Sequence, residues 1–142
     1  MALLDKEEAG ALPLGRDVLI GLLITGFAYA LLLGHRSDYL GHYLAGVGGT
    51  MLLLVVPAAL FRGRLGWVAL VPTVIAIAIG ARTEATIFRL AVFDPVDFLN
   101  QSLGACLAGS LVVGRKGSFP MAAILVLAGG VSLFLGFHFA FA

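Results

Sequence analysis

Apolar residues fill this chain in five long blocks, and polar residues gather in the short gaps between them. The blocks cover residues 18–33, 40–61, 67–80, 95–113 and 119–142, and the third continues as helix to about residue 90. A helix crosses the hydrocarbon core of a bilayer with roughly 20 apolar residues. Each block is therefore read as one spanning helix. The gaps at residues 62–64 and 114–118 are short, which forces antiparallel neighbours. The fold class expected is all-α: a polytopic transmembrane bundle of about five helices with short loops. It forms a single domain over residues 1–142, with residues 1–17 a polar N-terminal segment.

Small residues recur at helix-packing spacing within the blocks. Gly41, Ala45 and Gly49 are four apart, with Gly46 and Gly48 beside them. Gly104 and Ala108, Ala105 and Gly109, and Ala128, Ser132 and Gly136 repeat the spacing. In lipid, such faces let backbones approach closely, where dispersion contacts drive association. Gly46-Val47-Gly48-Gly49 has no lysine after it and follows no strand, so it is not a phosphate-binding loop. Pro57 and Pro72 lie inside blocks two and three, where each removes a backbone donor and kinks its helix.

Composition supports the bilayer as solvent. Of 142 residues, 61% are hydrophobic and 12% charged, with mean hydropathy +1.06. A soluble domain of this length needs a polar surface that this chain lacks. The net charge of +1, with no basic stripe or tail, excludes nucleic acid as a partner. Cys106, the single cysteine, lies mid-block and reads as a small apolar packing residue. Ala28-Tyr29-Ala30 superficially resembles a signal-peptide cleavage site. The segment before it is acidic on balance and the apolar run continues beyond it, so the first block reads as a membrane helix.

Six basic residues (Lys6, Arg16, Arg62, Arg64, Arg115, Lys116) fall on the N-terminal side of the bundle, and Arg36, Arg82 and Arg89 on the other. The positive-inside rule then places the N-terminus in the cytoplasm and the C-terminus outside.

The candidate chemistry sits at that outer edge: Arg36, Asp38 and His42 near one gap, and Arg82, Glu84, Arg89, Asp94, Asp97, Asn100 and Gln101 near the other. Ionisable groups beside hydrocarbon are costly, so their concentration marks a binding cluster. Asp94-Pro95-Val96-Asp97 reads as a helix start, with Asp94 accepting from the free amide of Asp97. Asp97 and Gln101 share one helix face, Asn100 and Gly104 the adjoining one. Asp38 and His42 are four apart, so the carboxylate is expected to hold the imidazole. Glu84 is expected to pair with Arg36, Arg82 or Arg89. His35, Asp38 and His42 alone make an incomplete ligand set, and no metal is expected. His42, or His138 between Phe137 and Phe139, is of the kind that ligates haem iron or the magnesium of a chlorophyll-type pigment; His138 equally suits an interfacial aromatic belt. Trp67, Tyr29, Tyr39 and Tyr43 read as interfacial anchors.

Residues 84–109 resemble the VanZ-like family of small bacterial membrane proteins. The family pattern has a glutamate at one span's end, matched by Glu84, and an arginine in the connection, matched by Arg89. An aspartate opening the next span matches Asp97, and a glycine further on matches Gly104, while the family's asparagine position holds Gln101 next to Asn100. Upstream, Ser37-Asp38-Tyr39-Leu40-Gly41-His42 is similar to the family's acidic residue followed by a histidine. The glutamine that usually follows the glutamate by three is Ile87 here. The resemblance implies a multi-pass protein of the bacterial inner membrane with a role in the cell envelope and no agreed catalytic reaction.

The function expected is non-enzymatic. Either the protein docks as an accessory subunit on other membrane-protein subunits, or it binds an envelope amphiphile through the outer polar cluster, with membrane lipids as constant partners. The alternatives are an enzyme on a lipid-linked substrate, with Asp97 and Glu84 as acid and base and Arg36 or Arg89 on phosphate; a transporter component; and a pigment- or haem-binding protein through His42 or His138.

Overall fold

The computed structural model describes residues 2–86 and 93–141, with side chains from residue 13 onward. The described residues form five helices: α1 (Ala2–Leu33), α2 (Ser37–Leu60), α3 (Gly66–Thr86), α4 (Pro95–Val112) and α5 (Phe119–Phe141). Their boundaries follow local chemistry. Asp94 caps α4, accepting from the amides of Val96 (2.8 Å) and Asp97 (3.4 Å), and Pro95 occupies the first turn. Gly114, just past the end of α4, takes the left-handed φ of +81° that glycine adopts without steric cost.

α1 begins earlier than the hydropathy pattern suggests. Residues 2–17, read from sequence as a polar extension, continue the helix, and the membrane-length apolar part is Pro13–Leu33. Among the described residues four helices are long and apolar enough to cross a membrane: α1, α2, α3 and α5. α4 was expected as a fifth span, and it runs beside the others as a helix of 18 residues. Its first turns carry Asp97, Asn100, Gln101 and Ser102, so it falls short of that apolarity on its own. The architecture is that of a multi-pass membrane protein whose least apolar helix depends on its neighbours.

α2 is the central helix. Half of its apolar window is buried, against 6% for α1, 28% for α3 and 22% for α5. α5 packs antiparallel along it and α4 parallel to it, while α3 lies against α4 and α2. Glycine permits both close approaches. A Cβ on Gly48 would stand 2.5 Å from the Leu133 amide nitrogen of α5, and one on Gly46 would collide with the Gln101 carbonyl of α4. α1 is applied to the outside, against α5, α2 and α4. α3 and α5 flank α2 without packing against each other among the described residues.

One end of the bundle is stapled through its loops. The Leu65 amide donates to the Arg115 carbonyl (2.9 Å) and the Gly117 amide to the Gly63 carbonyl (3.2 Å), forming a short antiparallel bridge between Arg64 and Lys116. Arg115 also reaches Asp17 of α1 (2.6 Å). The perimeter is apolar, with Leu23, Phe27 and Leu31 of α1, Val71 and Val74 of α3, and Leu127, Val131 and Phe134 of α5 all exposed.

Candidate functional site

The end opposite the stapled loops holds the polar residues. Here α2 and α4 start and α3 ends, so side chains distant in sequence converge. His42 Nε2 of α2 lies 3.4 Å from Asp97 Oδ2 of α4, and both side chains are largely buried. Gly46 and Gly104 set this meeting, because a Cβ on either would push the opposing backbone away. The other oxygen of Asp97, Oδ1, is buried with no hydrogen-bond partner.

Asp38 does not hold His42, as the spacing suggested. It pairs with Arg36 (2.7 Å), which also stacks on the Tyr39 ring at 3.9 Å. The contact is shorter in sequence, and the guanidinium fork suits a carboxylate better than an imidazole does. Arg36 is thereby occupied. Glu84 takes none of its expected partners among the described residues: Arg36 is committed elsewhere, and Arg82 is exposed with no ion pair to it. Arg89 lies outside the described residues. Glu84 is nonetheless 7% exposed, with no hydrogen bond or ion pair among the described residues.

Asn100 and Gln101, adjacent in sequence, serve opposite sides of α4. Asn100 points to α1, accepting from the Tyr29 hydroxyl while its amide donates to the Val96 carbonyl (2.9 Å). The Tyr43 hydroxyl donates to Thr25 (3.0 Å), and the two tyrosine rings lie 5.1 Å apart. Tyr29 and Tyr43 are therefore links between α1, α2 and α4, not interfacial anchors; Tyr43 is buried. Gln101 points to α3 and lies over Gly80, where any Cβ would strike its amide group.

Between α3 and α5 a groove of about 520 Å³ opens over the face of α2. Gly41, Ala45, Gly46 and Gly49 form its floor, continued by Leu52 and Leu53. Ala76, Ile79, Thr83 and Glu84 form the α3 wall, and Leu133, Gly136, Phe137, Ala140 and Phe141 the α5 wall. Its polar groups, His42, Thr83, Glu84 and Gln101, gather at the end where α2 begins; the rest is hydrocarbon. A Cβ on Gly49 would meet nothing within 4 Å, so this glycine is open to the groove and not to a helix.

The groove volume falls within the range of about 300–1,000 Å³ usual for small-ligand sites, and its walls match their pattern of apolar lining with few polar groups. The sequence pattern pointed to His42, Glu84 and Gln101 but missed Gly49, Ala76, Ile79 and Thr83. A glycine facing empty space and a glycine facing a helix look alike in sequence. His138 is exposed near the end of α5, with its ring against Phe139 at 5.6 Å, and does not line the groove. Among the described residues no three of His, Cys, Asp and Glu come close enough to share a metal ion. Cys106 is exposed on α4, contrary to its expected packing role. Comparison with known proteins finds no family model, no curated protein and no solved structure that matches this chain, so the likeness to VanZ-like proteins rests on the quoted motifs alone.

Proposed function

We propose that this is a non-enzymatic integral membrane protein that binds an envelope amphiphile, with an acyl chain lying in the groove between α3 and α5 and the head group at His42, Glu84 and Gln101. The observation that carries the reading is the polarity gradient of one groove: four polar side chains at its mouth and only apolar or small residues below. From Gly41 to Leu53 the floor of α2 rises about 18 Å. That is close to the depth of one leaflet in a hydrocarbon core about 30 Å thick. A lipid of a single leaflet fits such a groove end to end. The distribution of basic residues supports the outer leaflet, with the N-terminus in the cytoplasm, and the resemblance to VanZ-like proteins supports a bacterial inner membrane. An envelope role also agrees with the resemblance to VanZ-like proteins. The groove favours ligand binding over subunit docking, because it supplies a shaped site where the perimeter offers only a featureless apolar surface.

Gly49→Phe tests the proposal. A Cβ at Gly49 meets nothing within 4 Å and opens on the groove, so the ring is expected to occupy the groove itself. Native mass spectrometry of the protein released gently from membranes should show one retained lipid on the wild type. Gly49→Phe should lose it while keeping helix content and thermal midpoint. A wild type that carries no lipid, or a variant that carries it equally, rejects the reading.

A further inference from the structure

We propose that the amphiphile is recognised through a cationic amine in its head group, with Glu84 as the carboxylate that receives it. The inference rests on the groove reading above and adds the chemistry of the head. Glu84 lines the groove mouth, is more than nine-tenths buried, and has no hydrogen-bonding or ionic partner among the described residues. Its carboxylate oxygens are not among the fully enclosed unpartnered atoms, so they open on the groove, where a ligand can reach them.

Among the described residues, Arg36 is held by Asp38 and Arg82 is exposed with no ion pair to Glu84, while Arg89 lies outside them. The mouth is rich in carboxylates: Asp38, Glu84 and Asp94 all bear on Asp97 with like charge, against the opposing His42. A phosphate or carboxylate brought to Glu84 would add a further negative charge. An ammonium brings positive charge and three N–H donors. Glu84 takes one donor, and the Gln101 amide oxygen, which has no hydrogen bond among the described residues, is a second acceptor at the same mouth. The apolar length below then holds the hydrocarbon chain. The site thus selects the head by charge and the tail by shape.

The test uses the full chain in phosphatidylcholine nanodiscs and three fluorescent alkyl probes of equal chain length, ending in a primary ammonium, a hydroxyl or a phosphate. Specific binding is the difference between wild type and Gly49→Phe, which removes partition into lipid. The ammonium probe should bind about tenfold tighter than the hydroxyl probe, the scale of one charge-assisted hydrogen bond, and the phosphate probe weakest. Glu84→Gln should cost the ammonium probe that advantage and bring it level with the hydroxyl probe. Equal affinity for the three heads in the wild type, which needs no variant to fold, overturns the amine assignment while leaving the groove intact. A preference that persists in Glu84→Gln overturns the role of Glu84. Absence of specific binding by every probe overturns the groove reading itself.

Discussion

His42 and Asp97 meet on helices that glycine has already brought into contact. The backbones of α2 and α4 are fixed by Gly46 and Gly104, so the pair decorates an interface that it does not create. Its contribution to stability should therefore be small. Interhelical polar pairs in membranes average about 0.6 kcal/mol and reach about 1.7. A double-mutant cycle with His42→Ala and Asp97→Ala, followed by SDS unfolding in mixed micelles, should give a coupling energy near the lower of those figures. A coupling above about 3 kcal/mol, the scale of a broken buried ion pair, would instead make the pair a structural keystone. The same residues show what sequence spacing can and cannot deliver. Asp38 and His42 share a helix face, yet Arg36 captures Asp38 from two residues away. The spacing rule states which groups are able to meet, and the choice among competitors depends on side-chain geometry that no periodicity encodes. The convergence of His42 with Asp97 was legible only coarsely, as two polar gaps at one edge.

Element packing turns on neighbouring glycines with opposite tasks. A Cβ on Gly48 would lie 2.5 Å from the Leu133 nitrogen and 2.7 Å from the Gly129 carbonyl, both backbone atoms of α5 that cannot swing aside. A Cβ on Gly49, one residue on, would enter the groove. Gly48→Leu should thus wedge α2 from α5 and destabilise the bundle by about 1–3 kcal/mol, the usual cost of overpacking, and more if the helices separate. Gly49→Leu should be close to neutral, since leaving glycine in a helix interior offsets part of any loss by roughly 1 kcal/mol. Unfolding of the two variants in the same detergent checks the contrast, and equal losses would show that no groove exists at Gly49. The bounds of α4 were legible because they rest on local signals, Asp94 and Pro95 at its start and the gap opening with Gly114 at its end, whereas the start of α1 was not. The groove was not legible because it is a gap between α3 and α5, and the four-residue repeat of Gly41, Ala45 and Gly49 suggested one continuous interface. In the fold Gly41 packs on α5 while Gly49 faces open space.

At the scale of the whole molecule the two ends differ in basic charge, and the difference predicts which leaflet the groove serves. The stapled end carries Arg62, Arg64, Arg115 and Lys116 in loops joined by backbone hydrogen bonds, and Arg115 spends its charge partly on Asp17. The groove end has its one described ion pair of Arg with Asp at the start of α2, and holds the carboxylates Glu84 and Asp97 with His42 beside them. Loop cations are retained on the cytoplasmic side during insertion, and carboxylates weigh little in that choice. The stapled end should face the cytoplasm and the groove mouth the outer surface. Single-cysteine variants decide it, made in a Cys106→Ser background because Cys106 is exposed on α4. Ser37 and Arg64 are both exposed, at opposite ends of the bundle. In intact cells a membrane-impermeant maleimide should label Ser37→Cys and spare Arg64→Cys, with both labelled after lysis. The reverse pattern would turn the molecule over and make the ligand a lipid of the inner leaflet. The fit between groove and chain would survive that result, because the groove's length matches either leaflet, but the envelope role would lose its ground. Orientation is therefore the measurement on which a place at the cell surface depends, and it is independent of whether anything binds.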